Sequence, residues 1–180
     1  MATTTYKGMV SSFRTAGLAS ANHNLLTLFN KTGSTKLVKI RKLVVQVEDT
    51  GVLLTVAPVV MASRITTLPT GGTVLTKVPF DTALTADGNF EIMGATASDG
   101  GAASTITSTA GTRMWADFKM RAGTAVGQFL YPDVPLIPSL CESDPIILRA
   151  LEGINVQMVQ AAVTTASYLV NCVFEEYTEP

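Results

Sequence analysis

The chain has 180 residues, of which 47% are hydrophobic and only 15% are charged. This length fits one domain, which buries enough apolar surface to need neither metals nor disulfides. The net charge of −1 gives no overall field that would attract nucleic acid. Residues 1–80 nevertheless carry a net charge of +7 and residues 81–180 carry −8. Because these charges nearly cancel, they favour contact between the basic side of one molecule and the acidic side of another over a nucleic-acid surface.

Threonine is abundant, with 25 residues, many of which alternate with valine, leucine or isoleucine. Such residues pack well on a pleated surface. Turn motifs separate these runs, and in them glycine is expected to supply a positive φ. The motifs are NKTGS, EDTG, PTGG, TADGN, SDGG and LEG. This pattern predicts an all-β protein, an antiparallel β-sandwich or a barrel.

Five candidate strands precede residue 81, and six follow it. Each is a short run rich in β-branched, aliphatic or aromatic residues. The first five are residues 6–10, 25–30, 36–48, 52–65 and 73–80. The other six are residues 89–93, 113–120, 127–131, 146–151, 154–159 and 166–177.

The third candidate strand, residues 36–48, belongs to a segment that holds five of the thirteen basic residues of the chain. Val38 and Ile40 share one parity, and Leu43, Val45 and Val47 have the opposite parity. A β-bulge at Arg41–Lys42 would point both charges outward and return these later side chains to the core face. A helix is the alternative, since the apolar residues also fall near helical spacing. The valine and isoleucine content and the flanking turn motifs favour the strand.

Two connecting segments have distinctive compositions. Residues 94–112 are small, polar and almost uncharged, which predicts a long mobile loop. Residues 131–145 include four prolines, and proline lacks the N–H that a central strand needs. This second segment should therefore be an extended connection.

Residues 153–174 are uncharged and as long as a membrane span. They include four asparagine or glutamine side chains, and unpaired amides are costly in hydrocarbon. We therefore predict two buried strands and a turn rather than a transmembrane helix. The first residues of the chain lack the continuous apolar core of a secretory signal peptide.

The sequence predicts no catalytic, cofactor-binding or metal-binding residues. His23 is the only histidine, so the chain has no histidine pair for a metal, and we interpret it as a loop residue. The glycine-rich turns lack the lysine of a phosphate-binding loop, and Asp87–Glu91 lacks the ligand repeat of a calcium loop. Cys141 and Cys172 are expected to be free thiols, although two cysteines also permit one disulfide.

A protein interface is the function class that the residues favour. Proteins that bind single-stranded nucleic acid interleave aromatic side chains with basic ones, and the basic segment has only Phe29, at its edge. The residues alone favour an outward strand face whose bulge carries the charges, and the functional alternative is that this face contacts an acidic protein neighbour. Trp115 is expected to be a core or interface anchor, and the proline-rich segment should supply further contacts. The predicted interface residues are Lys36, Lys39, Arg41, Lys42, Trp115, Tyr131, Pro132 and Pro135.

Three segments resemble a known family: LLTLFNKTGSTKLVKIRKLVVQVEDTGVLLTV, TGGTVLTKVPFDT and LEGINVQMVQ with YLVNCVFEEYTE. They are similar to strands of accessory capsid proteins, called decoration or cement proteins, of tailed bacteriophages. The resemblance extends from about residue 25 to residue 179. It implies a jelly-roll-like β-sandwich domain over residues 25–180, without catalytic residues. Residues 1–24 precede this domain, and we expect them to form an extended arm that contacts a neighbouring molecule.

The resemblance and the composition together predict a structural virion protein that binds the assembled capsid and stabilises it. The expected partners are the major capsid protein and further copies of the chain, as a homotrimer. No membrane, specific nucleic acid or cofactor is expected. The protein would be made in the host cytoplasm and lie on the capsid surface. The alternative is a carbohydrate-binding or receptor-binding β-sandwich of a phage fibre.

Overall fold

The computed structural model of the protein describes residues 7–14, 23–47, 59–95, 106–108, 112–114, 118–119, 134–137, 145–160 and 168–178. Their regular structure consists of β-strands, and no helix occurs among them. The first eight strands are β1 (Lys7–Arg14), β2 (His23–Asn30), β3 (Leu37–Val47), β4 (Val59–Ile65), β5 (Thr70–Gly71), β6 (Thr73–Val74), β7 (Val78–Pro79) and β8 (Phe90–Gly94). The others are β9 (Ile106–Thr107), β10 (Thr112–Arg113), β11 (Phe118–Lys119), β12 (Val134–Ile137), β13 (Ile146–Leu148), β14 (Glu152–Gln160) and β15 (Tyr168–Tyr177).

The described strands form two antiparallel sheets that pack against each other as a β-sandwich, which confirms the predicted fold class. Sheet one has the order β12–β3–β15–β1–β7, with β13 paired to β3 as well. Sheet two has the order β10–β4–β14–β2–β8–β6, with β11 also paired to β4. The short strands β5 and β9 form a separate ribbon.

The first four described strands alternate between the two sheets. Strands β1 and β3 belong to sheet one, and β2 and β4 belong to sheet two. The later strands pair with them in reverse order: β1 with β15, β2 with β14, β3 with β13, and β4 with β10. The two halves of the chain are therefore paired with each other, strand by strand.

The hydrophobic core lies between the sheets. In β15, buried residues alternate with partly exposed ones from Tyr168 to Glu175, as expected for a strand with one face on the core. Phe174 of this strand meets Phe90 of sheet two, with ring centroids 5.0 Å apart and planes at 60°. Fully burying one such side chain contributes about 1.5–3 kcal/mol, so these contacts between sheets are the main source of stability.

The predicted β-bulge in β3 is confirmed. The ladder with β15 pairs Ile40 with Phe174 and Lys42 with Val173, so that Arg41 is an additional residue in β3. Ile40 on one side of the bulge and Leu43 on the other are both buried. The extra residue therefore corrects the change of parity and leaves Lys42 exposed.

Residues 73–80 form two strands rather than the single strand that was predicted. Strand β6 pairs with β8 in sheet two, whereas β7 pairs with β1 in sheet one. Between them, Lys77 turns inward and its Nζ donates to the carbonyl of Phe90 at 2.5 Å. This contact directs the chain across the edge of the sandwich from one sheet to the other.

The segments predicted to be an N-terminal arm and a long loop both contain strands. Residues 7–14 of the predicted arm form β1, which overlaps the candidate strand of residues 6–10 and pairs with β15 over its whole length. The division at residue 24 stays a prediction, but this part of the arm pairs with its own chain. Within the predicted loop of residues 94–112, β9 pairs with β5, and Ile106 is buried, so this part is a packed strand.

The LEG motif forms a turn, but its glycine does not supply the positive φ. Leu151 has that conformation, with a φ of 65°. Gly153 lies in β14, where a Cβ would be 2.4 Å from the carbonyl oxygen of Leu28. Glycine is therefore required at position 153 for close approach, and the expectation for this motif was wrong.

The sequence also led to expectations about a membrane span, the two cysteines and the proline-rich segment. No helix in the part of the chain that the structure describes is long and apolar enough to span a membrane, and residues 153–174 contribute to β14 and β15. Cys172 is a free, buried thiol, and Cys141 lies outside the described residues. The proline-rich segment is not only the connection that was expected, because its residues Val134–Ile137 form β12. This strand, which includes Pro135, lies at an edge of sheet one, where a proline is tolerated.

Candidate functional site

An apolar strip crosses the outer face of sheet one, the face directed away from sheet two. Val78 of β7 is opposite Val10 of β1, Val10 is opposite Val173 of β15, and Val173 is opposite Lys42 of β3. Val78 is 52% exposed, and Val10 and Val173 are partly exposed. Cross-strand neighbours share a face, so these side chains form one continuous strip that ends at a cation.

Phe80 extends this strip beyond β7. Its side chain is 65% exposed, and its amide donates to the carbonyl of Gly8 at 3.0 Å. A Cβ at Gly8 would be 2.7 Å from Cδ2 of the Phe80 ring, so the glycine makes room for the ring over β1. Exposed aromatic side chains that are held in place are typical anchors of protein interfaces.

The β3 edge of the strip is positively charged. Nη2 of Arg41 is 2.9 Å from Oε2 of Glu175, and both side chains are partly exposed. Lys39 is opposite Glu175 in the ladder, and Lys42 is exposed and opposite Val173. Three cations and one carboxylate therefore lie along this edge, which suits contact with an acidic surface.

The other predicted interface residues are not shown to belong to this face. Lys36 precedes β3, and its Nζ donates to the hydroxyl of Thr178, so it belongs to one end of the sandwich. Pro135 lies in β12, and its main chain is opposite Val44 of β3. Trp115, Tyr131 and Pro132 lie outside the described residues.

A buried ion pair lies at the same end of the sandwich as Lys36. Nζ of Lys77 is 3.7 Å from Oε1 of Glu176, whose side chain is only 1% exposed. Lys77 also donates to the carbonyls of Asp87 and Phe90, and the Asp87 amide donates to Glu176 at 2.7 Å. Burial lowers the pKa of Lys77 and raises the pKa of Glu176, although the attraction between the two opposes both shifts. The pair therefore fixes residues 77–90 to the end of β15.

Asn30 connects the sheets at this end. Its buried Nδ2 donates to the carbonyl of Lys36 at 2.9 Å and to that of Leu148 at 3.2 Å. The strand that carries it belongs to sheet two, while Leu148 belongs to sheet one. Lys31 adds an ion pair with Glu91 at 2.5 Å. This end of the sandwich, with the turns that follow β2, β7 and β13, is therefore held in one arrangement, and we call it the pinned end.

The titratable groups of the described residues are arranged for structure. No group of three His, Cys, Asp or Glu side chains that could hold a metal occurs within the described ranges. Burial raises the pKa of the Cys172 thiol to about 12, which keeps it protonated and unreactive. His23 was expected to be a loop residue, but its main chain begins β2 opposite Met158, so that expectation was wrong.

The apolar strip was missed by the sequence analysis, although the basic residues beside it were found. The alternation within each strand indicates which side chains share a face. Nothing in the sequence indicates that Val78 is beside Val10, because their strands are far apart in the chain. The sequence contains a weak indication that Phe80 belongs to the strip, because it is two residues after Val78, and residues two apart in a strand share a face.

Comparisons of the chain with protein-family models, with curated proteins and with solved structures gave no match. A function has to follow from the residues and their geometry.

Proposed function

We propose that the protein is a non-catalytic component of a virion that docks on an assembled bacteriophage capsid and stabilises it. The observation that carries this proposal is the outer face of sheet one, where an exposed apolar strip ends at Lys39, Arg41 and Lys42. Burial of the strip supplies affinity, and the cations set the register and the association rate. The resemblance of the strand segments to decoration proteins supports a capsid as the partner.

The strand pairing supports a jelly-roll topology within this proposal. The two halves of the chain pair in reverse order, and β15 also lies beside β3 while β14 lies beside β4. A long antiparallel ribbon acquires these neighbours when it is wound into two sheets, as in jelly-roll capsid domains. The topology therefore agrees with the family that the sequence resembles.

Self-association as a homotrimer on the capsid is the second part of the proposal. The opposite charges of residues 1–80 and 81–180 support contact between copies. Trp115, Tyr131 and Pro132 are proposed to contribute to contacts of this kind.

Co-sedimentation with capsids that lack the protein tests the docking face. We expect the purified chain to bind saturably and to bind more weakly as the salt concentration rises, because exposed charges are screened. The double variant K39E/K42E should associate more slowly and lose this salt dependence. The variant K39R/K42R keeps both charges and should bind like the wild type.

Three outcomes decide the proposal. It is wrong if the wild-type chain ignores capsids, and the assignment of the face is wrong if K39E/K42E binds like the wild type at every salt concentration. Binding to a glycan array, with no binding to capsids, would favour the fibre alternative.

A further inference from the structure

Leu151 adopts a conformation that is unfavourable for its side chain. It is the one non-glycine residue among those described that has a positive φ, at 65°. Glycine and asparagine adopt this conformation readily, whereas the Cβ of other residues meets the backbone. The neighbouring positions are Ala150 and Glu152, so the chain places a leucine where turn chemistry favours glycine.

The turn around Leu151 is closed by three hydrogen bonds. The amide of Glu152 donates to the carbonyl of Arg149 at 3.0 Å, and the amide of Leu151 donates to the carbonyl of Asn30 at 2.7 Å. Oε2 of Glu152 accepts from the amide of Arg149 at 2.8 Å. The surroundings therefore determine the backbone conformation, which is the condition under which strained residues persist at functional sites.

Packing does not account for the leucine, because its side chain is 51% exposed. Leu68, 45% exposed, follows β4 at the end where Ile65 is opposite Gly153 of β14. Two exposed leucines thus lie at the pinned end of the sandwich. An apolar side chain on a turn that is held in one conformation loses little conformational entropy when a partner binds it.

The turn is continuous with the outer face of sheet one. It follows β13 directly, and Ile147 of β13 is opposite Lys39. Nη1 of Arg64 donates to the carbonyl of Ile147 at 3.4 Å and lies 3.5 Å from Oε2 of Glu152. Arg149 is exposed in the same turn. Two arginines, Arg64 and Arg149, therefore lie near one carboxylate, that of Glu152, and this turn is positively charged like the β3 edge of the strip.

We propose that Leu151 is an apolar anchor of the docking face and inserts into a pocket with an acidic rim on the same protein partner. This inference rests on the proposed function. The strained conformation is retained because it presents the leucine, and it lowers the stability of the free chain.

Two measurements on one set of variants test the anchor. L151G and L151N relieve the strain, so their melting temperatures should rise by about 2–4 °C. Their binding to capsids that lack the protein should weaken by at least about tenfold, as for truncation of an interface anchor. L151M keeps an apolar side chain in the strained conformation and should match the wild type in both measurements.

Val74→Thr is the matched control, because Val74 is 61% exposed but lies in β6 at the far edge of sheet two. It should change neither the melting temperature nor the binding. If the wild type binds and L151G binds equally well, the anchor is wrong while the proposed function stands. A lower melting temperature for both L151G and L151N would also overturn the anchor. If the wild type does not bind, the proposed function fails and the anchor fails with it.

Discussion

The buried pair of Lys77 and Glu176 is the most consequential feature at the scale of single residues. Both pKa shifts are toward the neutral forms, and burial is the largest cause of each. The burial of two charges thus costs more free energy than their attraction recovers, as is common for buried ion pairs. The pair instead determines which way residues 77–90 cross between the sheets.

Removing one member of this pair should be much more harmful than removing both. We expect K77M to lower the free energy of unfolding by about 3–5 kcal/mol, because Glu176 keeps a buried charge without its partner. The double variant K77M/E176L should recover most of this loss. Urea denaturation of the two variants and the wild type measures the coupling. Equal losses in both variants would show that the residues do not act as a unit.

The raised pKa of Glu176 also predicts a pH dependence. The folded chain binds a proton at Glu176 more tightly than the unfolded chain does. The contribution of this residue to stability is therefore greatest below the ordinary glutamate pKa and falls as the pH rises through the raised value. Relative to E176Q, which does not titrate, the wild type should lose stability as the pH rises from the ordinary glutamate pKa, about 4.3, toward the raised value. Denaturation curves across this range check the sign, and a relative gain would contradict it.

At the scale of elements, the sequence predicted most of what depends on local alternation. The parity change between Ile40 and Leu43 predicted the bulge in β3, because apolar residues on both sides need the same core. The pattern of residues 73–80 gave no sign that the chain changes sheets, since the cause is a contact of Lys77 with the distant Phe90. The strained turn was missed for a similar reason, because the carbonyl of Asn30 that holds Leu151 lies far away in the sequence.

The bulge gives a direct test of register. Deletion of Arg41 should abolish cooperative unfolding, because the apolar residues on one side of the bulge would then face away from the core. R41A keeps the extra residue and loses only the partly exposed ion pair with Glu175, which should cost less than about 1 kcal/mol. Circular dichroism with urea titration separates the two variants. A deletion variant as stable as R41A would show that the bulge does not set the register.

At the scale of the whole molecule, the fold depends on contacts between distant parts of the chain. The sequence indicated a strand at residues 6–10 within the expected arm, but it did not indicate that this strand, β1, pairs with the distant β15 inside a sheet. The apolar strip has the same origin, since it combines side chains of β7, β1, β15 and β3. The sequence could therefore predict the charged residues of the face but not the apolar ones that the topology brings to them.

This topology predicts the effect of removing residues 1–14. Without β1, sheet one loses the strand that joins β15 to β7, and Met9 is removed from the core. The truncated chain should therefore lack a cooperative melting transition. A control truncation of residues 1–6 retains β1 and should keep the transition. If removal of residues 1–14 left the melting temperature unchanged, the pairing of β1 would be wrong.

The register of β1 against β15 also has a mechanical consequence. Lys7 is opposite Glu176, so the two ends of the described chain lie side by side. Tension applied at these ends peels the two strands apart from one side, and their hydrogen bonds break one after another. A load carried through the face of the sheet is instead shared by many strands at once. The molecule is therefore weak when it is pulled by its ends and strong when it is pressed through its face.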